Sequence, residues 1–253
     1  MSIGKRLLSY ALMGLSFSSI TIPTVLAGAE VAYSQNRFQK LWQRFISRPS
    51  RYQRPATLGR GGANRDSCPF TEQRLTALVP TVEESSIAYL EQTTEISPTW
   101  YFFVPYRFQI ETQAEFMLLD ESEEVVYQET VLLSDTPGIV ELSLPEGTEL
   151  SVAQSYRWLF SVICTADNRS NDVTVNGWIE RIDSETLSPD FSALSEKERL
   201  LAYADHLIWF DALHLLIEER KKDPLDGELE ILWQDLLSTL NLDSSVELVQ
   251  SGR

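Results

Sequence analysis

The chain has 253 residues, enough for one large or two small domains with a sizeable core, and its 43% hydrophobic and 10% aromatic content excludes a disordered composition. The formal net charge is −16. From Asp66 onward, 36 acidic against 11 basic residues leave a net of −25, which argues against nucleic acid and against broad adhesion to anionic lipid, since both need Lys and Arg to neutralise phosphate.

At the N-terminus, Lys5 and Arg6 precede an apolar, uncharged stretch from Leu7 to Leu26. Val25-Leu26-Ala27 and Ala27-Gly28-Ala29 place small residues as signal peptidase requires, so residues 1–29 are expected to be a signal peptide. The alternative is an uncleaved anchor facing the periplasm, because Leu7 to Ala29 spans 23 residues. No later apolar run is long enough to span a membrane, so the mature chain is expected in the periplasm or outside the cell.

Residues 30–67 follow as a basic linker; from Arg37 to Arg65 there are eight basic residues and no acidic ones, with Pro49, Pro55, Gly59, Gly61 and Gly62. Within it Phe38, Leu41, Trp42, Phe45 and Ile46 repeat at helical spacing, which fits either a membrane-surface helix or a strip packed on the body.

Residues 68–185 read as a β-sandwich-like domain. Strands are expected at Leu75–Val79, Trp100–Val104, Ala114–Leu119, Val125–Leu133, Ile139–Leu144, Tyr156–Cys164 and Val173–Ile182, each bounded by turn residues. The stretch Asp120–Glu124 should be a five-residue hairpin loop. Trp100, Phe102, Trp158, Phe160 and Trp178 alternate along these strands as core side chains do, although the same residues suit a sugar or peptide platform. Cys68 and Cys164 form an even pair, which in an exported chain is expected to be a disulfide; the alternative is two buried thiols.

From 186 to 243 the period becomes helical, giving a C-terminal unit of two or three helices and then a tail over 244–253. Leu207, Phe210, Leu213 and Ile217 form one apolar stripe, and Leu229, Leu232, Trp233, Leu236, Leu237 and Leu240 a second. Asp205 is a candidate cap for the helix that Pro224 ends. The fold expected is therefore β-rich α+β, an antiparallel sandwich followed by helices.

The sequence holds no G-x-S-x-G elbow and no phosphate-cradling loop, and His206 and His214 lie too far apart on a helix to share a zinc ion. The acidic loops around Asp120 and Asp167 depart from EF-hand spacing. No cofactor, metal or catalytic residue is nominated; any acid–base chemistry would have to use carboxylates.

Six strings in order resemble one family: L-T-A-L-V-P (Leu75–Pro80), W-Y-F-F-V-P-Y (Trp100–Tyr106), T-P-G-I-V-E-L-S-L-P (Thr136–Pro145), Y-R-W-L-F-S-V-I-C (Tyr156–Cys164), G-W-I-E-R (Gly177–Arg181) and I-W-F-D-A-L (Ile208–Leu213). This set is similar to the cyanobacterial family called "domain of unknown function 928", over roughly residues 66–243. The resemblance implies an exported protein, often with a Gly- and Arg-rich stretch before the domain, and carries no activity. The tail also resembles a single tetratricopeptide-type hairpin through Tyr203, Trp209, Ala212 and Pro224, with departures at Leu207 and Glu219.

These readings converge on an envelope binding or scaffold module with a protein partner, docking through a sheet edge or through Leu207, Trp209, Phe210, Leu213, Trp233 and Leu236. The competing reading is a glycan-binding or carboxylate-dependent glycan-hydrolysing domain, which would require facing carboxylates in a cleft and exposed Trp.

Overall fold

The computed structural model describes residues 41–46, 53–55, 68–80, 87–187 and 190–249; residues 1–29, expected to be a signal peptide, and most of the basic linker lie outside them. Among the described residues, nine strands are distributed over two sheets. The larger sheet runs β1 (Gln53–Pro55), β3 (Ile87–Thr93), β9 (Val173–Arg181), β8 (Ser155–Val162), β5 (Gln113–Leu119) and β6 (Val125–Leu132). Its pairs are antiparallel except β3 with β9. The smaller sheet, antiparallel throughout, runs β2 (Thr76–Ala77), β4 (Thr99–Val104) and β7 (Gly138–Ser143). All seven expected strands are present; β1 and β3 are additional.

The sheets pack through aromatic rings. Phe102 of β4 stacks on Phe160 of β8 with centroids 4.1 Å apart, and also meets the edge of Trp158; Trp100 packs on Phe116 of β5 at 4.9 Å. Every residue of β4 is buried, because the helices cover its other face. The four aromatics Trp100, Phe102, Trp158 and Phe160 are thus core, while Trp178 is half-buried on the opposite face of its sheet.

Gly177 sits directly across from Trp158, whose indole lies over the glycine. A Cβ there would overlap Cζ2 and come within 2.8 Å of Cε2 of a ring that is itself locked between the sheets. Gly177→Ala is expected to cost about 1–3 kcal/mol by overpacking, read as a lower urea midpoint at unchanged m-value.

Among the described residues, three longer α-helices follow the sandwich, and a short one precedes it. We call Leu41–Ile46 α1, Glu196–Asp205 α2, Trp209–Lys222 α3 and Gly227–Thr239 α4. Ser195 and Glu198 form a reciprocal capping box that starts α2, and Asp226 caps α4. Asp205 does not cap α3: it is the last residue of α2, and Ile208, which makes no side-chain cap, precedes α3. Leu207 is likewise off the helical stripe, in the α2–α3 turn with φ 60°. Helix α3 lies against β3 and β4, and its Trp209 indole N–H donates to the Leu78 carbonyl at 2.8 Å.

α1 is embedded in this helical layer rather than lying free. Leu41, Trp42 and Phe45 are fully buried, and Trp42 donates its indole N–H to the Leu232 carbonyl at 2.9 Å. The described part of the apolar repeat, Leu41 to Ile46, is therefore a strip packed on the body, and Phe38 lies outside the described residues. At the other end, Glu247 and Val249 exchange backbone hydrogen bonds with Ile139 of β7, so part of the expected tail covers that sheet edge.

Cys68 and Cys164 form a disulfide with Cα atoms 4.9 Å apart. It ties the segment before β2 to the end of β8.

A polar cleft and an open sheet edge

Two features of the surface have functional character. The first is a polar cleft where the β3–β4 turn meets α2 and α3. One cavity of about 210 Å³ is lined by Glu95, Arg199, Tyr203, Asp211, His214 and Glu218, among others. A second of about 120 Å³ shares Glu95 and His214 with it and reaches Ser97 and Thr99.

Asp211 forms the floor. It occupies the first turn of α3 and is 3% exposed. Both its oxygens accept from the Thr94 backbone N–H, at 3.1 and 2.9 Å, and Oδ1 also accepts from the hydroxyls of Thr93 and Thr94, each at 3.2 Å. Burial pushes its carboxyl up to about 7, aided by the charge of Glu95 and opposed by the Thr94 N–H and the two hydroxyls. Glu218 moves the opposite way, its carboxylate favoured by Lys221. Tyr101 is held protonated far above its ordinary range, first by burial and then by Glu141 and Glu218. Its hydroxyl shares a hydrogen bond with His214 Nδ1 at 2.8 Å.

Opposed carboxyl shifts in one cleft are a signature of acid–base sites. Here the raised carboxyl, 3% exposed, accepts from three donors of Thr93 and Thr94 and so clamps α3 to the end of β3.

A pH dependence follows. In the unfolded chain Asp211 ionises near 3.8, whereas folded it keeps its proton to about 7. Its contribution is thus fully present below 3.8 and is lost as pH rises to about 7. Asp211→Asn removes this loss while keeping an acceptor for Thr94. From pH 4 to pH 8 the variant should gain on the wild type by an amount on the order of 4 kcal/mol, as read from urea midpoints; a constant difference would contradict the assignment.

The second feature is β6, the outermost strand, which pairs only with β5 among the described residues. Val125 and Val126 are 53% and 41% exposed, and Gln128 and Thr130 are exposed as well. By contrast the flank of β7 is covered by residues 247–249, and β1 and β2 are three and two residues long.

The six side chains expected to form a helical docking stripe are placed differently. Trp209, Phe210, Leu213, Trp233 and Leu236 are at most 2% exposed, and Leu207 is half-buried in its turn. Trp209 is covered by α1, with Trp42 5.2 Å and Phe45 4.9 Å from its ring, and Phe210 packs on Trp100 of β4 at 5.7 Å. The stripe is interior and offers no surface to a partner. Nor does the cleft carry exposed tryptophan, since five of the six tryptophans are fully buried and Trp178 is half-buried elsewhere. The cleft residues escaped sequence reasoning because they come from distant segments. The one available signal was Asp211 itself, a carboxylate inside the apolar run Ile208–Leu213.

No described helix is long and apolar enough to cross a membrane, and the described residues contain no cluster of His, Cys, Asp and Glu fit to hold a metal ion. The molecule thus defines a class: a disulfide-linked, two-sheet β-rich α+β protein whose helices close one side of the sandwich. The chain matches the family described as Domain of Unknown Function (DUF928) over residues 60–249 and belongs to it. No curated protein matches the chain.

Proposed function

We propose that this protein is an exported, non-catalytic binding module of the cell envelope that engages a partner protein by strand addition along β6. The observation that carries the reading is the eight-residue edge strand β6, exposed at Val125, Val126, Gln128 and Thr130, together with a helical stripe already filled from within the chain. An added strand would satisfy the backbone groups on the open flank of β6, with side-chain contacts supplying selectivity. Export is supported by the N-terminal signal-like segment and by the Cys68–Cys164 disulfide, a bond that persists in oxidising compartments.

The test is recovery of a partner from envelope extracts by the tagged mature chain and by its Val126→Lys variant. Truncating the helices is unsuitable, because Trp209 and Trp233 belong to the core. A partner captured by the wild type and lost with Val126→Lys, at unchanged circular dichroism, is the expected result. Equal capture by both chains would refute the edge.

A further inference from the structure

We infer that the segment added to β6 is a basic extended peptide, about eight residues long, with cationic side chains at its two ends. The inference rests on the edge reading above and names the chemistry of the partner.

The β5–β6 hairpin and its flanks, residues 113–136, carry seven carboxylates and no Lys, Arg or His. Their placement is uneven. Glu121, Ser122, Glu123 and Glu124 are exposed at the hairpin tip, where the Asp120 carboxylate accepts from the N–H groups of Ser122 and Glu124. Asp135 is exposed beyond the other end of the strand. Between them the outward positions are neutral: Val126, Gln128 and Thr130. Among the described residues, two cations from outside the hairpin pair with its carboxylates, Arg157 with Glu123 at 3.5 Å and Arg169 with Glu115 at 2.9 Å. An incoming strand therefore meets β-branched and amide side chains along its middle and negative charge at either end.

Eight residues of strand span about 27 Å, so cations flanking a neutral, β-branched middle reach both acidic ends whichever way the peptide runs. The β6 edge of a second copy is the wrong occupant, since it would bring seven more carboxylates to the same edge. The body as a whole, at −25 from Asp66 onward, adds long-range attraction for a basic segment and repulsion for an acidic one.

The probes are two fluorescent peptides, KKVTVTVKK and EEVTVTVEE, titrated against the mature chain at about 50 and 300 mM salt. The lysine peptide should bind at least about tenfold more tightly, with affinity falling several-fold at the higher salt. It should slow amide hydrogen exchange in Val125–Leu132, and Val126→Lys and Thr130→Lys should each abolish both effects at unchanged circular dichroism. Equal binding of both peptides with β6 protection would overturn the basic partner while leaving the edge reading intact. Binding of the lysine peptide without β6 protection would mean adhesion to acidic surface and would overturn the inference. It also falls if neither peptide binds, or if the chain dimerises through β6 in a way that Val126→Lys abolishes.

Discussion

Trp42→Ala is expected to lower the unfolding free energy by about 3–5 kcal/mol, although it lies in a segment whose composition is that of a linker. α1 has only six residues and cannot hold a helix by itself. It exists because Leu41, Trp42 and Phe45 enter the helical layer and lose all contact with water. Trp42 packs against Phe45 and Trp209, with centroids 6.0 and 5.2 Å away, and its indole N–H satisfies the Leu232 carbonyl. Alanine would leave a cavity between α1, α3 and α4 and remove the indole bond to the Leu232 carbonyl. The Arg44–Asp205 ion pair and the Tyr89 hydroxyl bond to Ile46 O would survive, but the ion pair is partly exposed and contributes little. Trp42→Phe should recover much of the loss, since it retains a ring but not the donor. A urea midpoint for Trp42→Ala within error of the wild type would mean that α1 is peripheral.

Removing the disulfide should have a comparable effect. Cys68 and Cys164 are 96 positions apart, and closing a loop of that length restricts the unfolded chain by about 4–5 kcal/mol in the chain-entropy treatment. Both cysteines pack against the hydrophobic core, so Cys68→Ser also places a hydroxyl against apolar surface. The midpoint temperature should fall by roughly 10 °C or more, at 2–4 °C per kcal/mol for a domain of this size. Non-reduced intact mass should be two hydrogens below the reduced mass. A wild-type melting curve that is unchanged by reductant, with reduction verified by mass, would rule out the stabilising role.

The fold was legible where local chemistry decides it. Pro98 and Pro105 bracket β4, and its uninterrupted apolar run predicted a strand covered on both faces, as found. The acidic loop at Asp120–Glu124 marked the β5–β6 hairpin. β3 escaped because Tyr89, Leu90 and Glu91 are buried in succession, so the strand shows no alternation, and its partner β9 lies far along the chain. The helical stripe was read correctly as apolar, but an apolar face looks the same in sequence whether a partner or the chain's own α1 covers it. What decided the matter was a contact between residues 42 and 232, which no local pattern encodes. The cleft was invisible for the same reason, as Glu95 and Asp211 converge only through the clamp that Thr93 and Thr94 make on α3.

That clasp between residue 42 and residue 232 also sets a timetable for folding. The two partners are 190 positions apart, so a chain emerging residue by residue exposes Leu41, Trp42 and Phe45 long before their niche exists. Closing so distant a contact is slow, and until it closes the nascent protein displays a sticky aromatic strip at one end and an unfilled groove at the other. During that interval the protein depends on whatever shields such strips from one another.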